Sequence, residues 1–362
     1  MADKVTLKDI SDTLGISVAT VHRALSGKDR VSNKTREKII QCALEMGYQP
    51  TFLANPAPVR YKMSFAFICP DNLFYQEIIH GAKTATNEYG STGLTTHFLS
   101  APDYSPETQM QQLRDIINKR NYDGVAICPT HTMLLNPLIN SLVEAGIPVV
   151  TFNNDISESK RNCYIGEEPL ISGSFTAQLY SKMLPQDSEV AILQSLVSAE
   201  GLRLRIKGFE DYIHNNPKLK IFGKYDFYDN IENAYKIARE LLLSTKVDAV
   251  FTNSMMGTIG ASKAISELMH NYHPLLIGYD MNNDIKGFIA SDVIAGTLLQ
   301  SPVRQGYLVV KKLFELCNME NLQKITARDT IYLPIQLILK SNLEQNNDYE
   351  FFHYSVKFNS QS

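Results

Sequence analysis

The sequence has little of what most function classes require. Its five cysteines, Cys42, Cys69, Cys128, Cys163 and Cys317, are odd in number and scattered over 362 residues. That pattern supplies neither a disulfide framework nor a zinc cluster, and it suits free thiols in a reducing compartment. No run of 18 or more apolar residues occurs, so no membrane span is expected. The opening MADKVTLKDI lacks the apolar core of a secretory signal, which predicts a cytoplasmic protein. Enzyme signatures are missing too: no Gly-x-Ser-x-Gly elbow, no His-Glu-x-x-His, no phosphate loop and no Gly-x-Gly-x-x-Gly. Asp280-Met281-Asn282-Asn283-Asp284 begins like a calcium loop, but Ile285 stands where glycine is needed. No catalytic group, metal or cofactor is therefore expected.

What is present is a 44% apolar, 20% charged chain, long enough for two or three domains. Its charge is uneven. Residues 1–62 carry 10 Lys+Arg against 6 Asp+Glu, while residues 63–362 carry 25 against 32. A basic end on an acidic body suits phosphate contact by that end alone. The same end holds three short helical patterns. Leu7, Ile10 and Leu14 share one face, and Gly15 breaks the helix. Ser17 can cap a second helix with Val21, Ala24 and Leu25 inward. Ser32 can cap a third, with Ile39, Ile40, Ala43 and Leu44 inward, ending near Gly47. Two short helices across a glycine turn, supported by a third, form either a helix-turn-helix reader of DNA or a plain three-helix bundle.

The stretch TLKDISDTLGISVATVHRALSG, followed by VSNKTREKIIQCALEMGYQP, closely resembles the headpiece of LacI/GalR-type transcription regulators over about fifty residues. The resemblance implies that the second helix enters the major groove. Val18 and Ala19 then meet base edges, with only apolar contact to offer, and Arg23 reaches guanine or a phosphate. His22 stands where the family usually has Ser and is either a phosphate contact or a solvated residue. Thr6, Leu7, Ser17, Thr20, Ser26, Ser32 and Thr35 complete the expected DNA contacts, the hydroxyls by bonding phosphate. In the family the following linker becomes a hinge helix whose leucine wedges into the minor groove. Here that position is Ala57, between Pro56 and Pro58, which disfavours helical angles. A shortened or absent hinge helix and a weak operator kink are expected.

From Met63 the texture becomes alternating apolar runs and helical spacings. Examples are Met63–Cys69, Phe74–Glu88, Pro106–Lys119, Ile147–Phe152, Glu189–Leu193, Ile231–Leu243 and Val247–Thr252. Such alternation predicts parallel sheets wrapped by helices. Two lobes or one large sheet fit equally. The resemblance extends to a periplasmic-binding-protein-like core of the ribose-binding type, which implies two doubly wound lobes with three crossings. These are expected near Asp155–Cys163, Asp280–Ile294 and Arg328–Ile331. The organisation is then a headpiece 1–49, a linker 50–62, a core 63–342 and a tail 343–362. Within the core, the N-lobe is about 63–155 plus 294–328 and the C-lobe about 163–280 plus 331–342.

Ligands of doubly wound sheets bind beyond the carboxyl ends of strands. Six places there carry suitable groups: Asn72 with Phe74 and Tyr75, then Asn153 with Asn154, then Arg205, Asn253, Asp280 and Gln300. Aromatic rings can stack on apolar sugar faces, while amides, carboxylate and guanidinium bond hydroxyls. Each could equally be a helix-opening core residue or a loop cap. Their order matches the ribose-binding type, except that Asn153-Asn154 replaces the usual Asp-Arg pair. One positive and one negative side chain roughly cancel, which favours a neutral sugar or cyclitol. The expectation is a cytoplasmic repressor, a homodimer on operator DNA, controlled by a sugar-like effector between the lobes. A sugar-binding protein without functional DNA binding and a regulator with a nucleoside-like effector are the alternatives. The tail has no leucine heptad, so no four-chain coiled coil is expected, and its Tyr349, Phe351, Phe352 and Tyr354 suggest packing on the core.

Overall fold

The computed structural model describes residues 5–25, 31, 35, 38–39, 41–43, 46, 48, 63–268, 273–319 and 327–344. The chain divides into two compact units, residues 1–62 with 91–93 and residues 63–90 with 94–362. In the first, α1 (Leu7–Leu14) opens on a capping box: Asp9 N donates to Thr6 Oγ1, and Thr6 N donates to Asp9 Oδ2 at 2.8 Å. Gly15 closes the helix with φ +66°, a left-handed angle that glycine adopts without strain. Helix α2 (Val18–Leu25) follows, with Ser17 Oγ accepting from Thr20 N. Ile10, Val21, Ala24, Leu25, Ile39 and Ala43 form its core. Ser26, Ser32, Ile40, Leu44, Ala57, the linker and the tail beyond residue 344 lie outside the described residues.

The second unit contains two lobes built mainly of parallel strands. The first sheet runs β11-β5-β4-β3-β1-β2, all parallel: β1 (Ser64–Pro70), β2 (Thr95–Ala101), β3 (Gly124–Ile127), β4 (Val149–Phe152), β5 (Cys163–Gly166) and β11 (Asp329–Tyr332). The central strands are buried on both faces, so they read as continuous apolar runs such as FAFIC and GVAI. Helices α3 (Leu73–Glu88), α4 (Pro106–Lys119), α5 (Thr132–Glu144) and α11 (Pro302–Cys317) belong to this lobe. The other lobe joins two three-stranded sheets. Strands β6 (Ser188–Gln194), β7 (Leu219–Asp226) and β8 (Ala249–Thr252) run β7-β6-β8. Strands β9 (Ile277–Tyr279), β10 (Gly296–Leu299) and β12 (Gln336–Leu339) run β12-β10-β9, with β12 antiparallel to its neighbour β10, and an Ala249–Leu275 bridge links the two sets. Its helices are α6 (Pro169–Met183), α7 (Glu200–Asn215), α8 (Ile231–Ser244), α9 (Met255–Leu268) and α10 (Asn283–Ala290).

The crossings fall one strand later than the sequence suggests. β5 and β11 pair in the first lobe and β10 in the second, so the chain crosses at 166–169, 299–302 and 332–336. The expected crossings near Asp155–Cys163, Asp280–Ile294 and Arg328–Ile331 are corrected accordingly.

Glycine sets the closest helix packing. A Cβ on Gly306 would stand 1.8 Å from Ile78 O, and one on Gly81 would stand 1.9 Å from Val303 O. Backbones of α3 and α11 therefore touch, and neither glycine can gain a methyl without parting the helices. Gly306→Ala is expected to lower stability by roughly 1–3 kcal/mol. Gly287, on α10, meets nothing within 4 Å, so Gly287→Ala should instead raise stability by about 0.5–1 kcal/mol. Urea midpoints of the two variants moving in the same direction would refute this reading.

Candidate functional site

On the headpiece, Val18 (43% exposed), Ala19, His22 and Arg23 lie on the solvent side of α2, opposite Val21 and Ala24. Ser17 and Thr20 sit at its start, their hydroxyls 2.8 Å apart. Thr35 is helical and half-buried. Thr6 spends its hydroxyl on the capping box, and Leu7 is half-buried against the headpiece core. Leu7 is thus first a packing residue. The Thr6 bonds hold the Asp9 carboxyl below its usual range.

In the core unit, every strand from β1 to β10 except β3 delivers a polar side chain just past its carboxyl end. Asn72, Tyr104, Asn153, Asn154, Arg205, Asp229, Ser254, Asp280 and Gln300 line one cavity, together with Phe74, Tyr75, Leu202, Met255 and Met256. The cavity among them is small, about 30 Å³. The geometry follows from local structure. Asn72 caps α3, its Oδ1 accepting from Phe74 N at 3.0 Å, which leaves Nδ2 to reach Tyr104 OH at 2.6 Å. Tyr104, Asn153, Asp229 and Asp280 hold left-handed backbones, φ +54°, +61°, +53° and +66°. Outliers of this kind cluster where a loop must aim a side chain.

Two chains of polar contacts span the lobes. In one, Asn72 donates to Tyr104, whose hydroxyl faces Asp229, and Asp229 accepts from Ser195 Oγ at 2.8 Å and Ser254 Oγ at 2.7 Å. In the other, Tyr75 OH donates to Asn153 Oδ1, and Asn153 Nδ2 donates to Gln300 Oε1 at 3.2 Å. Gln300 Nε2 then donates to Asp280 Oδ1 at 2.7 Å. At the rim, Thr132 N and Oγ1 both donate to Ser198 O at 3.2 Å, and Ser198 Oγ returns a bond to Thr130 O.

Arg205 is 3% exposed and does not pair with Asp280, the partner the sequence suggests. Its Nε and Nη2 both donate to Glu167 Oε1, from a residue fully buried just after β5. Nη2 also reaches Gln300 Oε1 at 3.0 Å and Nη1 donates to Asn253 O, while the guanidinium lies 4.1 Å from the Tyr279 ring centroid. The balance of one positive and one negative group is corrected by this: the pair is Arg205 with Glu167, and Asp280 and Asp229 remain as further carboxylates. Burial pushes Asp280 up to about 7, against the opposing Arg205 charge and the Gln300 bond, with Glu167 and Glu77 adding to the rise.

Asn253 does not line the cavity. Its Oδ1 accepts from Ser195 N at 2.8 Å and its Nδ2 donates to Leu202 O at 3.0 Å, so it braces the β6 and α7 loops. Tyr104, Asp229, Ser254 and the Met255–Met256 pair were not foreseen. For Asp229 the strand-end rule would have served, since it follows β7 as Asp280 follows β9. Burial pushes the Cys128 thiol, which bonds Tyr75 OH at 3.2 Å, up to about 11, so it stays protonated beneath the aromatic wall. Among the described residues there is no His, Cys, Asp and Glu group that could hold a metal ion, and no helix long and apolar enough to cross a membrane.

A family model described as periplasmic binding protein domain matches residues 65–321, and one described as bacterial regulatory proteins, lacI family, matches residues 6–51. The chain is 30% identical over 122 residues to the HTH-type transcriptional regulator RegA of Clostridium saccharobutylicum, covering 33% of this chain and 35% of that one. It is 25% identical over 272 residues to the ribose operon repressor of Halalkalibacterium halodurans, covering 72% and 74%. In fold it is similar to a solute-binding protein of Burkholderia graminis solved with D-arabinose, at TM-score 0.72 and 23% identity, over 80% of this chain and 99% of that one. The chain belongs to the periplasmic binding protein domain family, and its residues 6–51 match the lacI family of bacterial regulatory proteins.

Proposed function

We propose that this protein is a cytoplasmic transcriptional repressor whose affinity for operator DNA is set by a small polyol, a sugar or cyclitol, held between the two core lobes. One observation carries the reading. Amides, hydroxyls and carboxylates from both lobes converge with Phe74 and Tyr75 on a single cavity at the carboxyl ends of the strands. Hydroxyls of a polyol both donate and accept, which suits this mixture, and the rings offer a flat apolar face. The D-arabinose bound by the Burkholderia graminis protein belongs to that ligand class. Asn72, Asn153, Asn154, Asp280 and Gln300 are the polar contacts in this reading, and Arg205 frames them. Two copies of the chain would present their α2 helices to half-sites about one helical turn apart. The effector shifts operator affinity only by its differential affinity for two core conformations.

The test is operator selection from a random duplex library, followed by fluorescence anisotropy with and without a panel of sugars and cyclitols. One polyol should change operator affinity; an operator response to none of them would sink the proposal. In the same assay Arg23→Ala is expected to cost about 1–3 kcal/mol and to relax preference at one base pair per half-site. Equal loss at every sequence would assign Arg23 to phosphate instead.

A further inference from the structure

We infer that the effector carries a protonated amine beside its hydroxyls, as an amino sugar or aminocyclitol does, and that Asp280 receives the ammonium group. The inference rests on the polyol reading above and narrows it.

The lining holds one cation, Arg205, and two carboxylates, Asp229 and Asp280; its neutral donors are the amides of Asn72, Asn153, Asn154 and Gln300. A guanidinium has five N–H groups. Two of Arg205's point at Glu167, one at Gln300 and one at the Asn253 carbonyl, which leaves one. Ser254 and Ser195 direct their hydroxyl protons at Asp229. Asp280 is 5% exposed, and only its Oδ1 receives a protein donor, from Gln300, among the described residues. Its second oxygen is not sealed among protein atoms, unlike Glu167 Oε2, and Asp280 lines the cavity.

Charge points the same way. Once Arg205 and Glu167 are counted as a pair, Asp280 and Asp229 remain on the cavity wall with no lysine or second arginine beside them. The chief charges acting on Asp280 are Arg205 on one side and Glu167 and Glu77 on the other. An anionic effector would add to this excess. A neutral polyol would supply hydrogen bonds but no charge. An ammonium supplies three donors and one positive charge together. Phe74 and Tyr75 line the same cavity, and aromatic rings attract a cation. The raised proton affinity of Asp280 agrees: burial penalises its charge and Arg205 offsets that only in part, so a cation seated against it favours the ionised form.

The test is isothermal titration of the full-length protein at neutral pH with glucosamine, galactosamine and an aminocyclitol. Each is compared with its hydroxyl parent, and the two hexosamines also with their uncharged N-acetyl forms. One amine should bind about tenfold or more tighter than both uncharged counterparts. Asp280→Asn, which keeps shape and removes charge, should bring the amine to the same affinity as its own hydroxyl parent measured on that variant. A neutral sugar or cyclitol binding as tightly as its amine would overturn this inference and leave the polyol reading standing. Silence from the whole panel would overturn both.

Discussion

Arg205→Met should lower the unfolding free energy by roughly 3–5 kcal/mol, because it strands the fully buried Glu167 carboxylate without its partner. The cost is the unpaired charge rather than the worth of the pair. Removing both charges, in Arg205→Met with Glu167→Leu, should therefore recover most of the loss, since well-packed apolar pairs often equal buried ion pairs. Glu167 Oε2 already lacks a hydrogen-bond partner, so the native pair is itself imperfectly satisfied. Urea unfolding of the two single variants and the double variant forms a cycle. A double variant no more stable than Arg205→Met would contradict the account, and would show that the two side chains act separately.

Stability should also depend on pH through Asp280. Its folded-state pKa is raised, from 3.8 to about 7, so the fold prefers the protonated carboxyl. The contribution is fully present below about pH 4 and is lost as pH rises through 7. At about 1.4 kcal/mol per unit, the loss between those limits is at most about 4 kcal/mol. Asp280→Asn mimics the neutral form at every pH. The difference between native and variant stability should therefore grow as pH rises from 5 to 8, with the variant the more stable above 7. A difference that stays flat over that range would mean that the carboxylate is ionised throughout. Binding a cation at Asp280 favours the charged form, so affinity for such an effector should rise over the same interval.

Much of this was legible from residue order alone. Capping residues and glycine breaks located α1 and α2, and alternating periodicities gave the two-layered core. Asn72, Asn153, Asn154, Asp280 and Gln300 were found because each follows an apolar run at a strand end. What escaped notice had physical reasons. β5, β10 and β11 are four residues each, Cys163–Gly166, Gly296–Leu299 and Asp329–Tyr332, too short to show a period. The crossings were misplaced for that reason, and Glu167 went unseen behind β5. Tyr104 sits in a single 3-10 turn, Pro102–Tyr104, where nothing in the sequence marks a site. The pairing of Arg205 was a matter of competition between two acids, Glu167 and Asp280. Charge type alone cannot rank two acids; the backbone after β5 does, by placing Glu167 within reach of Nε and Nη2 together.

The Asn72–Tyr104–Asp229 relay has a consequence for output. It brings side chains of the two lobes together, so its contacts favour the shut cleft over the open one whether or not effector is bound. A regulator built this way rests with a higher fraction of its molecules already in the responsive form. Effector is then sensed at lower concentration, because less of its binding energy goes into moving the lobes. The gain has a ceiling: if about one molecule in ten rests shut, saturating effector can raise that population at most about tenfold. Cutting the relay with Tyr104→Phe would exchange sensitivity for range, turning a leaky, early switch into a tighter, later one.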